Sequence, residues 1–282
     1  MSLEGKVCVI TGATSGIGEV AAIDLARQGA RLVLIARDSA RGEATLTRLR
    51  AAGPGAAHRI HYADLARVAE MKRVAAEIAA AEPRIDLLVN NAGALFTRRQ
   101  VSPDGLEMHF AVNHVAYFVV TQMLRDRLVA AAPARVVSTA SAAHYGAKLD
   151  LDDLQFARGY GGMQAYQRSK LFNVMWTREL ARRLAGTGVT ANCFHPGFVA
   201  TRYGDNAGGL LSYGVRAAKM LFAISSEKGA RTLVYLATSP EVTGVTGRYF
   251  TRCREKTPSA AAQDDAAARR LWDETARLVG MT

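Results

Sequence analysis

The stretch Lys6-Val-Cys-Val-Ile-Thr-Gly-Ala-Thr-Ser-Gly-Ile-Gly18 decides the fold of this 282-residue chain. Residues 6–10 form a short apolar run that predicts a buried β-strand, and residues 11–18 form a glycine-rich segment. A helical pattern follows and ends at Gly29. A strand that continues through a glycine-rich turn into a helix is typical of the first unit of a parallel α/β fold.

Further apolar runs alternate with helical patterns along the rest of the chain. The run at residues 31–36 is nearly all apolar, as expected of a strand that helices cover on both faces. This alternation predicts a Rossmann-type, doubly wound parallel sheet of about seven strands with helices on both faces. Because no linker or repeat divides the chain, we expect residues 1–282 to form a single domain. The predicted strands are residues 6–10, 31–36, 59–63, 85–89, 134–138, 189–193 and 247–250.

Composition and charge indicate a globular protein rather than a nucleic-acid-binding one. The chain is 49% hydrophobic, and its net charge of +11 comes from basic residues scattered along helical segments. Interleaved aromatic and basic residues, as in single-strand binders, are not found, so no nucleic-acid partner is expected. Cys8, Cys193 and Cys253 are isolated, which predicts neither a metal site nor a disulfide framework.

The chain is expected to be cytoplasmic and to have no membrane-spanning segment. The first predicted strand begins within six residues of Met1, which leaves no room for a signal peptide. The most apolar late stretch, residues 210–224, is interrupted by Arg216 and Lys219 and is too short to cross a bilayer.

The glycine-rich segment predicts a dinucleotide site. Gly12 permits a tight turn, while Gly16 and Gly18 let the backbone approach a pyrophosphate at the N-terminus of the first helix. The spacing is G-x-x-x-G-x-G rather than the general G-x-G-x-x-G. Its position, directly after the first strand, favours phosphate binding over a turn that merely requires several glycines.

Three motifs in this order resemble the short-chain dehydrogenase/reductase family. They are TGxxxGxG at residues 11–18, Asn-Asn-Ala-Gly at residues 90–93, and a tyrosine and a lysine four residues apart, Tyr166 and Lys170. Further stretches look like the retinol-dehydrogenase-like branch of the family, which acts on apolar carbonyls and alcohols. These stretches are residues 134–137, 153–155, 165–166, 169–171, 177–181, 186–190 and 195–197.

The resemblance implies a set of catalytic residues. Residues four apart lie on the same side of a helix, so Lys170 can favour the phenolate of Tyr166, whose pKa is otherwise about 10. By resemblance Tyr166 is the general acid/base, Lys170 also binds the nicotinamide ribose, and Ser141 orients the substrate oxygen. Ser138 competes with Ser141 for that role. Asn113 matches the residue that holds a water in a proton relay.

The end of the second strand bears on the choice of cofactor. NAD enzymes of the family usually carry an acid where this chain has Ala36, and the following Arg37 can pair with a 2′-phosphate, so NADP(H) is predicted. Asp38 suits a ribose ligand and a helix cap equally well, and NAD(H) remains the alternative. The predicted cofactor-binding residues are Gly12, Thr14, Ser15, Gly16, Ile17, Gly18, Arg37, Asp64, Leu65, Asn91, Ala92, Gly93, Tyr166, Lys170, Pro196, Gly197, Val199 and Thr201.

The remaining segments are expected to surround this site. Residues 203–224 are interpreted as an apolar substrate lid or as a helix packed on the core, and residues 148–162 as a loop beside the site. Residues 252–282 form a C-terminal extension with few apolar anchors, and His114 and His195 are interpreted as packing residues. The sequence thus predicts an NADP(H)-dependent oxidoreductase of small apolar carbonyls or alcohols. An NAD-dependent alcohol dehydrogenase and a non-catalytic dinucleotide-binding regulator are the alternatives, and the oligomeric state is left open.

Overall fold

The computed structural model describes residues 2–197 and 225–281, and its strands form one sheet. Seven strands are parallel, and the last is antiparallel to its neighbour. The strands are β1 Val7–Thr11, β2 Arg31–Ala36, β3 Arg59–Tyr62, β4 Leu87–Asn90, β5 Ala134–Thr139, β6 Val189–His195, β7 Tyr249–Thr251 and β8 Arg254–Glu255. Their order in the sheet is β3-β2-β1-β4-β5-β6-β7-β8.

The predicted Rossmann-type architecture is confirmed, with one strand more than expected. The additional strand, β8, pairs only two residues with β7, which is too short for a hydrophobic pattern to reveal. Strand β6 continues two residues past the expected end, through Phe194 to His195, because both residues pair with β7.

Helices cover both faces of the sheet in the described part of the chain. On one face α1 and α7 pack with the buried side chains of β1 and β2, and on the other face α3, α5, α6 and α8 enclose a larger apolar cluster. The helices are α1 Gly16–Arg27, α2 Ser39–Ala52, α3 Val68–Ala81, α4 Met108–Phe110, α5 Ala116–Ala130, α6 Gly162–Arg183, α7 Ser226–Thr238 and α8 Asp265–Leu278. No helix in residues 2–197 or 225–281 is both long and apolar enough to cross a membrane.

One helical turn departs from α-helical geometry. The segment Ala111–Val115, between α4 and α5, is a π-helix, so residues 108–130 form one continuous helical stretch with an irregular turn near its start. Such turns are uncommon in proteins, and those that occur often lie at functional sites. Here the π-helical turn carries Asn113.

The C-terminal segment is part of the core rather than a loosely held extension. Trp272 of α8 is 5% exposed, and its ring packs edge-on against Phe118 with centroids 4.8 Å apart. Leu271 and Val279 are buried as well. At the end of α8, Lys72 Nζ donates a hydrogen bond of 2.6 Å to the Val279 carbonyl.

The expected loop between β5 and α6 is held in place by a buried arginine. Arg168 donates hydrogen bonds to the carbonyls of Asp153 at 2.7 Å and Lys148 at 3.2 Å. Its guanidinium also lies 4.1 Å from the centroid of the Phe156 ring. The predicted lid, residues 203–224, lies outside the described residues.

Asp86 joins the starts of β1 and β4. Its carboxylate accepts hydrogen bonds from the Val7 amide at 3.0 Å and from Lys6 and Arg84 at 2.9 Å each. Burial alone would raise the pKa of Asp86, but these three donors together hold it below its usual value. The ionised carboxylate therefore stabilises the fold above about pH 4, and this stabilisation is lost as the pH falls through the pKa of the folded state.

We expect Asp86→Asn to lower the free energy of unfolding at pH 7 by about 1.5–3 kcal/mol, because hydrogen bonds to a charged acceptor are lost. The difference from the wild type should shrink as the pH falls below about 4. Urea denaturation across this pH range measures it, with Asp126→Asn at an exposed position of α5 as the control. A difference that stays constant down to low pH would contradict this account of Asp86.

Candidate active site

The glycine-rich loop and the Asn-Asn-Ala-Gly motif lock together at the ends of β1 and β4. Gly12 has φ +69°, and a Cβ atom there would lie 2.7 Å from the Ala92 Cα. At Gly18 a Cβ would lie 2.4 Å from the Asn91 Nδ2, whose amide group donates a 3.0 Å hydrogen bond to the Gly12 carbonyl. These glycines are therefore required by close backbone packing between two motifs about 80 residues apart.

The N-terminus of α1 fits the pyrophosphate of a dinucleotide. Ser15 precedes the helix in an extended conformation and makes no side-chain capping hydrogen bond to it. The free amide groups of the first turn and the helix dipole favour an anion at this point. Gly16 has φ +59°, and Ile17 is buried beneath the turn, while Thr14 is half-buried within the loop.

Asp38 caps α2. Its Oδ1 accepts a 2.9 Å hydrogen bond from the Arg41 amide, and its Oδ2 lies 3.1 Å from an Arg41 guanidinium nitrogen. The hydrogen bond from the Arg41 amide is the main reason that the pKa of Asp38 is lowered. Ala36 ends β2, and the Arg37 side chain that follows is exposed and forms no ion pair among the described residues. The carboxylate of Asp38 is thus engaged in capping α2, whereas the exposed guanidinium of Arg37 can contact a ligand.

Asp64 and Leu65 follow β3, as predicted for residues near the adenine. Asp64 Oδ1 accepts a 3.1 Å hydrogen bond from the Ala66 amide, and Leu65 is 8% exposed. Pro196 and Gly197 follow β6, where Gly197 has φ +90°. Val199 and Thr201 lie outside the described residues.

Tyr166 and Lys170 are one turn apart on α6, and Lys170 reaches the end of β5. Lys170 Nζ lies 5.9 Å from the centroid of the Tyr166 ring and donates a 3.1 Å hydrogen bond to the Thr139 carbonyl at the end of β5. Lys170 is 3% exposed, and this burial lowers its pKa to about 7. The lysine therefore titrates near neutrality, which suits a group taking part in proton transfer.

Asn113 holds the Tyr166 segment and the loop after β4 together. Its Nδ2 donates hydrogen bonds of 3.0 Å to the Ala94 carbonyl and to Ser169 Oγ, and its Oδ1 accepts a 2.8 Å bond from the Ala94 amide. Ser169 Oγ in turn donates to the Tyr166 carbonyl at 2.8 Å. Both amide donors of Asn113 are used, so its side chain acts as a brace.

Ser141 lies just beyond β5 at the start of a 3₁₀-helix, Ala142–Gly146. Its Oγ accepts a 3.1 Å hydrogen bond from the Ala143 amide, and the hydroxyl proton remains for donation to a ligand. Ser138, the alternative that the sequence offered, is fully buried within β5. Ser141 is therefore the serine with access to this edge of the sheet.

A buried carboxylate–imidazole pair beside Tyr166 was missed by the sequence analysis. Glu107 Oε1 lies 2.8 Å from Nδ1 of His109, and the His109 and Tyr166 ring centroids are 6.1 Å apart. The Phe96 amide donates a 2.9 Å hydrogen bond to His109 Nε2, so the imidazole fixes the loop that precedes α4. Glu107 also caps α4 by accepting from the Phe110 amide, and an acid before a long helical run was the available signal.

Of the two other histidines considered from the sequence, His114 is fully buried and His195 is half-buried. Burial lowers the pKa of His114 to about 3 and that of His195, the last residue of β6, to about 4. Both imidazoles are therefore neutral at physiological pH.

Comparisons with known proteins show the family and its fold. Residues 6–208 match the family described as short chain dehydrogenase. Human retinol dehydrogenase 13 is 39% identical over 287 residues, covering 99% of this chain and 86% of the relative. Mouse retinol dehydrogenase 14 is 38% identical over 296 residues, covering 99% and 87%. Among solved structures, the Pseudomonas aeruginosa RhlG/NADP complex has a TM-score of 0.71 and 29% identity, covering 88% of this chain and 95% of that chain.

The fold and the site define a Rossmann-type oxidoreductase with a nicotinamide dinucleotide cradle at one end and a tyrosine–lysine pair at the other. The chain belongs to the short-chain dehydrogenase family. Its similarity to several retinol dehydrogenases over nearly the whole chain confirms the retinol-dehydrogenase-like branch that the sequence motifs indicated.

We expect Lys170→Met to stabilise the cofactor-free protein. Because the folded pKa is about 7 and the unfolded one about 10.4, the unfolded chain retains a proton that the folded chain releases between these values. Wild-type stability should therefore rise with pH across this interval. At pH 7 and below, the free energy of unfolding of Lys170→Met should be higher than that of the wild type by on the order of a few kcal/mol. This difference should shrink towards pH 10.

Chemical denaturation from pH 6 to pH 10 measures this gap. Lys228→Met, which removes an exposed lysine of α7, is the matched control and should show no such pH dependence. A gap for Lys170→Met that does not change with pH would contradict the buried, titrating lysine.

Proposed function

We propose that this protein is an NADP(H)-dependent oxidoreductase that transfers hydride between the nicotinamide and the carbonyl or alcohol group of an apolar small molecule. The observation that carries the proposal is the buried Lys170 ammonium beside Tyr166, at the edge of the sheet where the dinucleotide cradle ends. Burial lowers the pKa of this lysine to about 7, and groups with strongly shifted pKa values concentrate at sites of chemistry.

The bound nicotinamide would supply or accept the hydride, and the protein's own residues would handle the proton. In the direction of reduction, Tyr166 gives its phenolic proton to the developing alkoxide, and the Ser141 hydroxyl donates a hydrogen bond to the same oxygen. The positive charge of Lys170 favours the resulting phenolate. General acid catalysis of this kind contributes about 10²–10⁴ in rate.

The role implied for Asn113 by resemblance, which is to hold a water of the proton relay, can be served by its main chain. Because its side chain is committed to Ala94 and Ser169, we assign the water of the proton relay to the main-chain carbonyl of the π-helical turn. In a π-helix hydrogen bonds run from residue i to residue i+5, so the pattern of available carbonyls differs from that of the flanking α-helix.

The preference for NADP(H) is supported by the end of β2. Asp38 is engaged as the cap of α2, and the exposed guanidinium of Arg37, directly after β2, is suited to pair with a 2′-phosphate. The solved relative RhlG is a complex with NADP. The apolar substrate is supported by the relatives named retinol dehydrogenases, which are similar over nearly the full chain.

We expect Tyr166→Phe to lower kcat by at least about 100-fold, because the general acid is lost. The dissociation constant for NADPH should stay within about threefold, since the phenylalanine ring preserves the packing. Absorbance of the reduced nicotinamide with a panel of aldehydes, ketones and alcohols measures turnover. Tyr235→Phe, which removes a hydroxyl on α7, is the control, and retained turnover in Tyr166→Phe would remove the tyrosine from the mechanism.

We expect Arg37→Ala to raise the KM for NADPH by at least about tenfold while changing that for NADH by less than about twofold, because a charge-assisted contact to the 2′-phosphate is lost. Arg50→Ala removes the same charge further along α2 and controls for the general electrostatic effect. Equal effects on the two cofactors would favour the NAD-dependent alternative.

A further inference from the structure

A buried hydrogen bond joins the C-terminal helix to the π-helical turn that carries Asn113. His114 and Thr275 are both fully buried, and Nε2 of His114 lies 3.0 Å from Oγ1 of Thr275. The Thr275 hydroxyl already donates a 2.7 Å hydrogen bond to the Leu271 carbonyl within α8. Since a hydroxyl has a single proton, its oxygen must accept from His114, whose proton is therefore on Nε2.

The orientation of His114 depends on this bond. Burial lowers its pKa to about 3, so the imidazole stays neutral over the whole working range. Its Nδ1 has no hydrogen-bond partner among the described residues, and its ring is enclosed by Phe110 and Phe172 at centroid distances of 5.3 and 5.6 Å. The Thr275 hydroxyl is thus the polar contact that selects one position of the ring.

His114 is the direct neighbour of Asn113 within the same irregular turn. A π-helical turn is a rare conformation and persists where tertiary contacts hold it. On its other side the turn is fixed by Asn113, which binds the loop at Ala94 and Ser169 of α6. A shift of His114 would therefore be transmitted to the groups around Tyr166.

We propose that Thr275 is a positioning residue, whose hydrogen bond to His114 fixes the π-helical turn in the geometry that proton transfer at Tyr166 and Lys170 requires. The C-terminal helix is then a part of the active-site framework, although none of its residues reaches the reacting atoms. This inference rests on the proposed function for its kinetic consequences and on the structure alone for its effect on the turn.

The structure offers a control that loosens α8 without touching His114. Lys72 anchors the end of α8 through its hydrogen bond to the Val279 carbonyl. Lys72→Met removes that anchor, whereas Thr275→Val removes a hydroxyl and keeps the shape of the side chain. Thr275→Ser keeps the hydroxyl and serves as the conservative replacement.

The first readout is hydrogen exchange of the backbone amides in Ala111–Val115. Exchange in this segment should be at least about tenfold faster in Thr275→Val than in the wild type, because local opening of the turn becomes easier. It should be unchanged in Thr275→Ser and in Lys72→Met. Wild-type exchange in Thr275→Val, or equal acceleration in Lys72→Met, would overturn the inference whether or not the protein turns over a substrate.

The second readout is kinetic and is made well below the unfolding temperature. Thr275→Val should lower kcat by about tenfold, with the KM for NADPH within about twofold, because misplacement by a fraction of an ångström acts on the reacting geometry rather than on cofactor binding. The solvent deuterium isotope effect on kcat should increase, and Thr275→Ser should restore kcat to within about twofold.

The outcomes separate the two proposals. Absence of turnover in the wild type overturns the proposed function, and the exchange measurement still decides the role of Thr275. Two outcomes overturn the positioning role and leave the proposed function intact. In the first, the wild type turns over and kcat is unchanged in Thr275→Val. In the second, kcat falls in proportion to the loss of thermal stability, and does so equally in Lys72→Met.

Discussion

The buried ammonium group of Lys170 is the interaction on which the site depends. Burial opposes its charge and brings its pKa to about 7, while the Thr139 carbonyl at the end of β5 fixes its position. A buried cation destabilises the folded chain, and groups of this kind concentrate where a reaction needs them. The side chain of Lys170 therefore links the stability of the fold to the chemistry at Tyr166.

The topology of the sheet explains how the distant motifs meet this group. Because β1, β4, β5 and β6 are neighbours and parallel, the segments that follow them emerge at one edge. Thr139 Oγ1 donates a 3.1 Å hydrogen bond to Asn91 Oδ1. This bond connects the end of β5 to the Asn-Asn-Ala-Gly motif, which packs against the glycine-rich loop. At Gly93 the cofactor and chemical ends of the site meet, since a Cβ there would lie 3.2 Å from Asn113 Oδ1 and 3.6 Å from Lys170 Nζ.

The sequence predicted those features that depend on residues close together in the chain. The apolar runs at residues 6–10 and 31–36 predicted strands that lie at residues 7–11 and 31–36, and the glycines of the first turn allow close backbone contact. The sequence could not reveal contacts between residues that are far apart in the chain. His114 and Thr275 are 161 residues apart, and the π-helical turn between α4 and α5 has no signature in hydrophobic periodicity. The His109–Glu107 pair was overlooked because its significance comes from its packing against Tyr166 in three dimensions.

Ionisation of the Tyr166 phenol reports whether the Lys170 ammonium favours the phenolate. Ultraviolet difference absorbance of the protein saturated with NADP⁺ follows tyrosine ionisation as the pH is raised, in the wild type and in Tyr166→Phe. The wild type should contain one additional tyrosine that ionises below the ordinary pKa of about 10 and that is absent from the variant. The attraction is mutual, so the phenolate also holds the proton on Lys170 above the pKa of about 7 that this lysine has in the cofactor-free protein. Identical titration curves for the two proteins below pH 10 would contradict this effect of Lys170.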